Sequence, residues 1–538
     1  MHNPILLALW AAAAFVLFKI VVYVSTELRH RYNARKLDCQ IPPRFVAGDY
    51  LGIINIRNSI KANNDFRLLD HLKGVMDHVS EREGFPHNTV YQNLLGSPAV
   101  FTTDPKNIQT ILAVQFKNFG LGDSRNGNFY PLLGRGIFSS DGAQWEHARA
   151  LLRPQFAREQ VSDLDLQERH IQELMCALPI STESGWTNVT NIQPLFFRLT
   201  IDSATEFLFG TSVGSQLANL PGHSSDKAPI ANEIDFAAAF DRAQTLIAKA
   251  ARFGDLYYLA HNAELKEQCR RCHVFIDRYV DLALKRPQKT TQETSSGEKQ
   301  KYVFIDALVE STRDPLELRA HLLNILLAGR DTTASLLSYV FMLLTDHPEV
   351  YSKLRTVILE EFGTYAHPRD ISFAKLKSCS YLQWVLSETL RLYPVVPIDG
   401  RRALTDTTLP TGGGPDGKSP IYIRKHMPVD YSVYVMHRRK DLWGADADDF
   451  KPERWNGRRV GWEFLPFNGG PRICIGQQFA LTEAGYTIVR LLQRFEAIEG
   501  VGNSWESVEK GGVGYVRQKA TLTVCPADGV KLRMKEAK

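Results

Sequence analysis

Hydrophobic residues recur every three or four positions along most of the chain. This spacing places apolar side chains on one face of a helix, whereas alternation at every second position indicates a strand. It predicts helices at 161–178, 191–209, 236–251, 264–284, 316–344 and 381–393. Shorter strand-like runs lie at 51–56, 100–102, 421–423, 432–435 and 521–524. We therefore expect a mainly α fold with a small β-sheet domain.

Residues 5–24 form an apolar run whose single charge is Lys19. A helix of about 20 residues is about 30 Å long, which matches the hydrocarbon core of a bilayer. No Lys or Arg precedes the run, and four follow it at Arg29, Arg31, Arg35 and Lys36. A cleaved signal peptide carries its positive charge first, so this order predicts a retained, single-pass transmembrane helix with the body of the protein in the cytosol.

Pro42 and Pro43 follow the apolar run and stiffen the chain where it leaves the membrane. We expect residues 1–45 to form the membrane anchor and its proline hinge, and residues 46–538 to form one large domain. The polar runs 214–232 and 286–301 are interpreted as long surface loops within that domain.

Composition limits the function classes further. The chain has 538 residues, of which 44% are hydrophobic and 23% are charged, so it can bury a large core. A net charge of +5 is small for this length and gives no indication of nucleic-acid binding. The seven cysteines are scattered and odd in number, which favours a reducing compartment over a disulfide framework.

One cysteine, Cys474, lies in a segment suited to binding iron through a thiolate. The sequence Phe-Asn-Gly-Gly-Pro-Arg-Ile-Cys-Ile-Gly covers 467–476. An iron-binding cysteine must stay deprotonated, which requires backbone N–H donors near the sulfur and protection from bulk water. The glycines allow a tight backbone path, and the amphipathic run after Gly476 predicts a helix whose N-terminus faces the thiolate. A lone cysteine outside such a segment would be a buried structural residue.

The Phe-x-x-Gly-x-Arg-x-Cys-x-Gly pattern of this segment resembles the haem-binding signature of the cytochromes P-450. The resemblance implies the cytochrome P-450 fold, preceded here by one N-terminal transmembrane helix, and a haem b whose iron has Cys474 as its axial metal ligand. It also implies that Phe467 covers the sulfur, that Gly476 belongs to the cofactor-binding loop and that Arg472 meets a haem propionate.

Three further motifs of that family occur in the expected order. Glu388 and Arg391 lie one helical turn apart among apolar neighbours, so we expect a buried ion pair that needs another partner to offset its desolvation. By resemblance, Arg454 is that partner and completes the family's Glu-Arg-Arg structural triad.

The second motif is Ala-Gly-Arg-Asp-Thr-Thr at 328–333, within the predicted helix 316–344. Glycine adds backbone freedom, and a threonine hydroxyl competes for the i−4 carbonyl, so the segment predicts a locally opened helix. By resemblance, Asp331 and Thr332 are catalytic and control proton delivery during oxygen activation. An isolated motif of this kind would be a helix kink without chemistry.

The third motif is Trp145 with Arg149, an i, i+4 pair on one face of a predicted helix. In the resembling family this pair holds a haem propionate. Arg401 and His437 are further candidates for propionate contacts by the same comparison, and each would otherwise be an ordinary surface residue.

Several segments are similar to the fungal members that hydroxylate n-alkanes and fatty acids. These segments are 119–122, 131–134, 136–138, 152–158, 327–335 and 477–484. That group usually has asparagine where this chain has Asp399, in a stretch that lines the family's substrate pocket. A carboxylate there leaves the exact substrate open, because it could favour a polar or cationic molecule.

Three other motif matches point to different protein classes. Residues 412–419 fit a phosphate-binding loop, but Pro420 and a strand-like run follow where a helix is required, so we expect a β-turn. Residues 210–214 fit a hydrolase nucleophile elbow, but a helix precedes the serine and Gly210 is expected to end it. Cys269 and Cys272 fit covalent haem attachment, but they lie on a predicted amphipathic helix.

The resemblance implies a haem-thiolate monooxygenase whose catalytic domain, residues 46–538, hydroxylates a long-chain alkane or fatty acid at or near the terminal carbon. We find no flavin or nicotinamide motif in the sequence, so the expected electron donors are a separate NADPH-cytochrome P-450 reductase and cytochrome b5. The expected location is the endoplasmic reticulum membrane. The basic runs 438–440 and 458–459 are either solvated faces or docking sites for the acidic reductase.

Two other functions remain open at this point. The same scaffold could oxidise a steroid or a secondary metabolite, or rearrange a peroxide without a reductase. A haem-binding sensor or carrier would share the cysteine segment, but it would have no need of Asp331 and Thr332.

Overall fold

Helices make up most of the secondary structure in the computed structural model, which describes residues 4–46, 48–94, 96–156, 164–220, 231–286, 302–502 and 516–538. The α-helices are Pro4–Lys36, Ile53–Asn64, Leu68–Glu83, Pro105–Gln109, Asp123–Leu133, Gly142–Leu152, Leu164–Cys176, Ile192–Phe209, Ala231–Ala251, Ala263–Lys285, Phe304–Ser311, Pro315–Asp346, Pro348–Phe362, Phe373–Ser378, Ser380–Leu392, Val433–Met436, Lys440–Trp443 and Gln477–Arg494. The mainly α fold class is therefore confirmed.

Within the described residues, short strands form four small sheets. The strands are β1 (Thr89–Leu94), β2 (Ser97–Thr102), β3 (Phe119–Gly120), β4 (Thr190–Asn191), β5 (Ile398–Ala403), β6 (Thr407–Gly413), β7 (Ser419–Ile423), β8 (Pro428–Ser432), β9 (Phe495–Gly500), β10 (Gln518–Ala520), β11 (Val524–Pro526) and β12 (Lys531–Glu536). A five-stranded sheet has the order β1-β2-β8-β5-β3, and a three-stranded sheet has the order β4-β12-β9. β6 pairs with β7 and β10 pairs with β11, both antiparallel.

The helical periodicity placed four of the six predicted helices within two residues of their observed bounds. The predicted helix 236–251 begins earlier, at Ala231, and the predicted helix 161–178 is observed as Leu164–Cys176, with 161–163 outside the described residues. Residues 221–230 and 287–301, which make up most of the two predicted surface loops, also lie outside the described residues.

Three strand predictions were wrong or shifted. Residues 51–56 run into the helix Ile53–Asn64, because Asp49 accepts the Asn55 N–H at 2.8 Å and satisfies a donor of its first turn. At 432–435 the strand β8 ends at Ser432, whose hydroxyl accepts the Val435 N–H at 3.2 Å and starts the helix Val433–Met436. Residues 521–523 are the turn between β10 and β11, with Thr521 N–H donating to Thr523 O.

The contacts divide the chain into two compact units. The first contains Met1–Ile56, Lys73–Gly120 and Gly400–Tyr431, and the second contains Arg57–Leu72, Leu121–Asp399 and Ser432–Lys538. The first unit holds the N-terminal helix, most of the five-stranded sheet and the β6–β7 hairpin. The predicted division into an anchor and one catalytic domain at residue 45 stays a prediction.

The N-terminal helix Pro4–Lys36, called the anchor helix below, is long and apolar enough to cross a membrane. Its stretch Leu9–Lys36 has a mean hydropathy of 1.9 in its most apolar window, none of which is buried inside the protein. An unburied apolar helix of this length is suited to lipid rather than to a protein core.

The helix Pro315–Asp346, called the central helix, forms the core of the second unit. Asp314 caps it by accepting the Leu316 N–H at 2.9 Å, and Pro315 occupies its first turn, where no N–H is needed. Apolar residues lie on all of its faces, and nearly every side chain from Leu318 to Leu344 is buried. The motif at 328–333 is therefore packed within the second unit, with Arg330, Asp331 and Thr333 buried.

The three alternative motifs fold as expected. Gly210 ends the helix Ile192–Phe209 in a left-handed conformation, with φ of 79° and its N–H bonded to Glu206 O. The phosphate-loop match is the turn between β6 and β7, closed by a Gly412 N–H to Gly417 O hydrogen bond of 2.7 Å. Cys269 and Cys272 are buried on the helix Ala263–Lys285, where burial raises the pKa of both thiols and keeps them unreactive.

Candidate active site

The segment around Cys474 folds into a closed loop. The Cys474 N–H donates to Phe467 O at 3.0 Å, and the half-buried Phe467 begins the loop. Asn468 and Gly470 have φ angles of 63° and 68°, in the left-handed region that tight turns require. The Asn468 side-chain oxygen accepts the Gly469 N–H at 3.0 Å and stabilises this conformation.

The Cys474 thiol lies at the start of the helix Gln477–Arg494, for which Gly476 is the N-cap. Cys474 has solvent-accessible surface. Burial raises the pKa of the Cys474 thiol, while the Gly476 backbone N–H and the Arg149 guanidinium act to lower it. The donors that a thiolate needs are thus present at the sulfur.

Trp145, Arg149 and Arg472 form a cationic cluster near the cysteine loop. Trp145 and Arg149 lie on the helix Gly142–Leu152, and the Arg149 guanidinium carbon is 5.8 Å from the Trp145 ring centroid. The Arg472 guanidinium carbon is 4.4 Å from the same ring. The structure therefore brings three predicted cofactor-binding residues to one place, with two cations beside one indole.

Asp141, which the sequence analysis did not single out, organises this cluster. Its carboxylate accepts hydrogen bonds from Arg472 Nη2 at 2.7 Å, from Leu121 N at 2.8 Å and from Gly122 N at 2.9 Å. Burial alone would raise the pKa of Asp141, but the backbone donors, Asn126 and Arg472 outweigh it and lower the pKa. Nothing in the sequence near Leu121 and Gly122 indicates that their backbone N–H groups donate to Asp141, about 20 residues further along the chain.

The predicted Glu-Arg-Arg set is in direct contact and fully or almost fully buried. Glu388 forms two hydrogen bonds with Arg391, at 2.8 and 2.9 Å, and one with Arg454 Nε at 3.2 Å. Trp455 Nε1 donates to Glu388 at 2.9 Å, and Arg454 also pairs with Asp446 at 2.8 Å. These additional partners offset the cost of burying the charges.

The prediction that His437 contacts a propionate is contradicted by its hydrogen bonds. Its Nε2 accepts the Leu465 N–H at 3.0 Å, so its Nδ1 carries the proton and donates to Arg391 O at 3.1 Å. Burial lowers the pKa of His437 to about 3, which keeps the imidazole neutral. His437 instead connects Leu465, which precedes the cysteine loop, to the helix Ser380–Leu392, which carries Glu388 and Arg391.

Arg401 lies in the first unit, on β5, and is 5% exposed. Its Nη1 donates to Gly400 O at 2.6 Å. Its predicted propionate contact stays a prediction.

The central helix continues without a break through 328–333. Thr332 Oγ1 donates to Ala328 O at 2.7 Å, which is the i−4 hydrogen bond that the sequence predicts, but the helix does not open there. Packing on all sides of the central helix prevents the local opening that Gly329 and the threonines favour by themselves.

Asp331 is buried beside Arg330, with 3.4 Å between Asp331 Oδ1 and Arg330 Nη1. Arg330 also forms two hydrogen bonds with Asp241 on the helix Ala231–Ala251, one of them at 3.0 Å. Burial raises the pKa of Asp331, although the Arg330 charge opposes this. Asp331 is therefore a carboxyl group that can hold a proton next to Thr332.

Asp399, whose carboxylate leaves the substrate undetermined from the sequence, accepts hydrogen bonds from two residues of the second unit. Arg125 Nη1 donates to Asp399 Oδ1 at 2.5 Å, and Asn468 Nδ2 donates to Asp399 Oδ2 at 3.2 Å. Its negative charge is thus neutralised by a cation of the protein.

Comparisons with known proteins agree with this architecture. A sequence profile of the family Cytochrome P450 matches residues 68–525. The chain is 50% identical over 527 residues to cytochrome P450 monooxygenase g430 of a Fusarium species, over 98% of this chain and 90% of the relative. It is 44% identical over 483 residues to cytochrome P450 52A13 of Debaryomyces hansenii, over 88% and 90%.

Among solved structures, the fold is similar to that of the cytochrome P450DA haem domain. The TM-score is 0.71 at 19% identity, over 93% of this chain and 98% of that one. The chain therefore belongs to the cytochrome P450 family. It is a monooxygenase of that family, similar to several yeast proteins of the 52A group.

Members of this family carry a haem iron, and the residues of the second unit fit that group. Cys474 is solvent-accessible, and the Gly476 backbone N–H and the Arg149 charge both act to lower the pKa of its thiol, as a thiolate ligand requires. Trp145, Arg149 and Arg472 supply polar N–H groups suited to the anionic propionates of a haem.

Proposed function

We propose that this protein is a membrane-anchored cytochrome P450 that hydroxylates a long-chain n-alkane or fatty acid at or near its terminal carbon. It uses O2 and electrons from a separate NADPH-cytochrome P-450 reductase, with cytochrome b5 as a further donor. The cofactor is haem b, and the catalytic domain, residues 46–538, lies on the cytosolic side of the endoplasmic reticulum membrane. Similarity to the 52A group over most of the chain supports this reading.

In this proposal Cys474 binds the haem iron, and Phe467 and Gly476 shape the loop around its sulfur. Trp145, Arg149 and Arg472 hold the propionates, and Arg401 contributes a further contact. The bound haem supplies the chemistry of oxygen activation and C–H hydroxylation.

Proton supply is assigned to Asp331 and Thr332. Burial raises the pKa of the Asp331 carboxyl, which favours its protonated form. The Thr332 hydroxyl, one residue further along the central helix, passes a proton on after it leaves the Ala328 carbonyl, to which it donates at 2.7 Å. Such transfer requires a hydroxyl at this position and not simply a side chain of that size.

The proposed substrate class is supported by the two hydrogen bonds that Asp399 accepts from Arg125 and Asn468. An unpaired carboxylate near the pocket would favour a cationic or strongly polar substrate. Arg125 and Asn468 occupy both Asp399 oxygens, so this acid binds the protein and leaves selection to apolar contacts. Attack at a chain end then depends on how narrowly the protein guides that end, since terminal C–H bonds are stronger than internal ones.

The assignment is tested with purified protein, a competent reductase and a panel of C10 to C18 alkanes and fatty acids beside a steroid. We expect a substrate-induced spectral shift and NADPH-dependent hydroxylation of the chains. Turnover of the steroid with no binding or product from any chain would overturn the substrate class. Product formation from a peroxide without NADPH would overturn the role of the reductase.

A further inference from the structure

Arg330 of the central helix lies between two carboxylates. It forms two hydrogen bonds with Asp241 on the helix Ala231–Ala251, one of them at 3.0 Å. Its Nη1 is 3.4 Å from Asp331 Oδ1, and that oxygen accepts no hydrogen bond within the described part of the chain. Adjacent side chains point in different directions from a helix, so Arg330 reaches Asp241 more readily than it reaches its own neighbour.

The two carboxylates lie in different surroundings. The Asp331 side chain is 8% exposed, whereas the Asp241 side chain is 56% exposed. Burial alone would lower the pKa of Arg330, but the charges of Asp331 and Asp241 raise it, so Arg330 stays a cation. A cation affects a buried carboxylate strongly because there is little water to screen it. The position of this guanidinium therefore matters most for Asp331.

The rest of Arg330 is held by the helix Ile192–Phe209. Thr200 Oγ1 donates to Arg330 O at 2.8 Å, and the Arg330 guanidinium carbon is 5.8 Å from the Phe197 ring centroid. These contacts hold the backbone and one side of the guanidinium group. What remains variable is which carboxylate its N–H groups bind.

Several groups influence whether Asp331 is protonated. Burial raises the pKa of Asp331, and the negative charge of Asp241 acts in the same direction. Arg330 acts to lower this pKa, ahead of the smaller effects of Gln244 and Lys519. The other polar groups that face Asp331 are Gln244 on the helix Ala231–Ala251, Lys519 on β10 and the Cys525 thiol on β11. A closer approach of Arg330 would therefore favour the ionised carboxylate.

We propose that Asp241 is a positioning residue for proton supply, because its carboxylate holds the Arg330 guanidinium away from Asp331 and lets Asp331 keep a proton for Thr332. Without the charge of Asp241, Arg330 forms charge-assisted hydrogen bonds with Asp331, which then stays ionised and has no proton to give. This inference rests on the proposed proton supply through Asp331 and Thr332.

Asp241→Asn tests the inference in the full-length haem-loaded protein with a competent reductase. The substrate is the chain of the C10 to C18 panel with the highest turnover. At pH 7.5 the fraction of NADPH recovered as product should fall roughly threefold or more, with the electrons appearing as hydrogen peroxide. Lower pH should restore this coupling, because it protonates Asp331 again. Asp241→Glu keeps the charge and should couple like the wild type. The carbonmonoxy spectrum shows that each variant is folded.

A second ion pair of the central helix gives the matched control. Arg319 donates to Asp277 on the helix Ala263–Lys285 at 2.5 and 2.6 Å. Asp277→Asn breaks this pair in the same way and should leave coupling unchanged. Arg330→Gln removes the cation through which Asp241 acts, so adding Asp241→Asn to that variant should change coupling little. A further threefold loss in the double variant would overturn the positioning role.

The protonated carboxyl can also be followed without turnover, by its infrared C=O band. The band is assigned to Asp331 by its loss in Asp331→Asn. In Asp241→Asn it should disappear at lower pH than in the wild type, and an unchanged titration would overturn the inference. If Asp331→Asn couples like the wild type, the proposed proton supply fails and this inference fails with it. If Asp331→Asn is uncoupled and Asp241→Asn is not, the proton supply stands and the role of Asp241 is refuted.

Discussion

Asp399 and Arg125 form an ion pair in which Asp399 Oδ1 and Arg125 Nη1 are 2.5 Å apart. The other Asp399 oxygen accepts a hydrogen bond from Asn468, a residue of the cysteine loop with φ of 63°. The acid that distinguishes this chain from the fungal group it resembles therefore connects the helix Asp123–Leu133 to that loop. We infer that Asp399 holds these two segments together rather than selecting a charged substrate.

Replacing Asp399 separates these roles. Asp399→Ala removes the carboxylate to which Arg125 and Asn468 donate, so we expect a loss of about 1–3 kcal/mol in the free energy of unfolding. Asp399→Asn keeps one oxygen for Asn468 and should lose less. Urea unfolding measures both. The order of preference within the alkane and fatty-acid panel should be the same in Asp399→Asn as in the wild type. If the wild type oxidised a cationic substrate that Asp399→Asn did not, this role would be contradicted.

Cys474→Ser tests the proposed iron ligand. A serine hydroxyl is a much poorer ligand for iron than a thiolate, so the variant should fold but lose the red-shifted carbonmonoxy Soret band and all monooxygenase activity. Cys379→Ser, at a buried cysteine of the same unit, is the control and should keep the band. Retention of the band in Cys474→Ser would refute the assignment.

Thr332→Ala tests the proton supply. We expect normal haem content and substrate binding, because the side chain contributes one local hydrogen bond to the fold. The fraction of NADPH recovered as product should fall roughly tenfold or more, with the electrons appearing as hydrogen peroxide. Thr332→Ser keeps the hydroxyl and should restore coupling. Equal coupling in all three proteins would remove Thr332 from the mechanism.

Glu388 accepts five hydrogen bonds, from Arg391 twice and from Arg454, Lys451 and Trp455. Glu388→Ala leaves the buried Arg391 guanidinium without its carboxylate and Arg454 with Asp446 alone, which should cost about 3–5 kcal/mol and impair haem incorporation. Arg454→Ala should cost less, because Glu388 keeps Arg391. Chemical unfolding and the absorbance ratio of haem to protein report the two effects. Equal losses in both variants would contradict this ranking.

His170 predicts a pH dependence of stability. It is 3% exposed, and its ring nitrogens lie 2.7 Å from Glu206 and 3.2 Å from Glu173. Burial alone would lower the pKa of His170, but the hydrogen bonds to Glu173 and Glu206 outweigh it and raise the pKa to about 9. The unfolded pKa is about 6.5, so the stabilisation is complete below that pH and is lost as pH rises to about 9.

The loss amounts to about 3 kcal/mol in the free energy of unfolding. Urea unfolding of the wild type at several pH values between 6 and 9 should show this decline. His170→Gln cannot titrate at this position, so its stability should be lower at pH 6 and should decline less over the same range. The decline that remains in the variant comes from other groups such as Glu483, whose pKa burial raises to about 7. A parallel decline in both proteins would assign the effect to other groups.

Local sequence patterns were sufficient to predict most of the long helices and the motif residues that lie close together in the chain. A helix depends on residues three and four apart, so periodicity located the central helix closely. The apolar run 5–24 predicted the first part of the anchor helix, which continues to Lys36. The cysteine segment spans ten residues, and Glu388 and Arg391 are three residues apart. In the structure, Cys474 is hydrogen-bonded to Phe467, and Glu388 is paired with Arg391. Periodicity was less reliable at 51–56 and 432–435, where capping by Asp49 and Ser432 turned strand-like runs into helices.

Contacts between distant parts of the chain were decided by packing. Nothing near Asp399 in sequence indicates that Arg125 and Asn468 are its partners, and nothing near Arg472 indicates Asp141. His437 matched a family position, yet the backbone groups brought to both of its ring nitrogens exclude a propionate contact. The sequence determines which residues carry a charge or a hydrogen-bond donor. The partner of each such group comes from a distant segment, so it is determined by the tertiary packing of the chain.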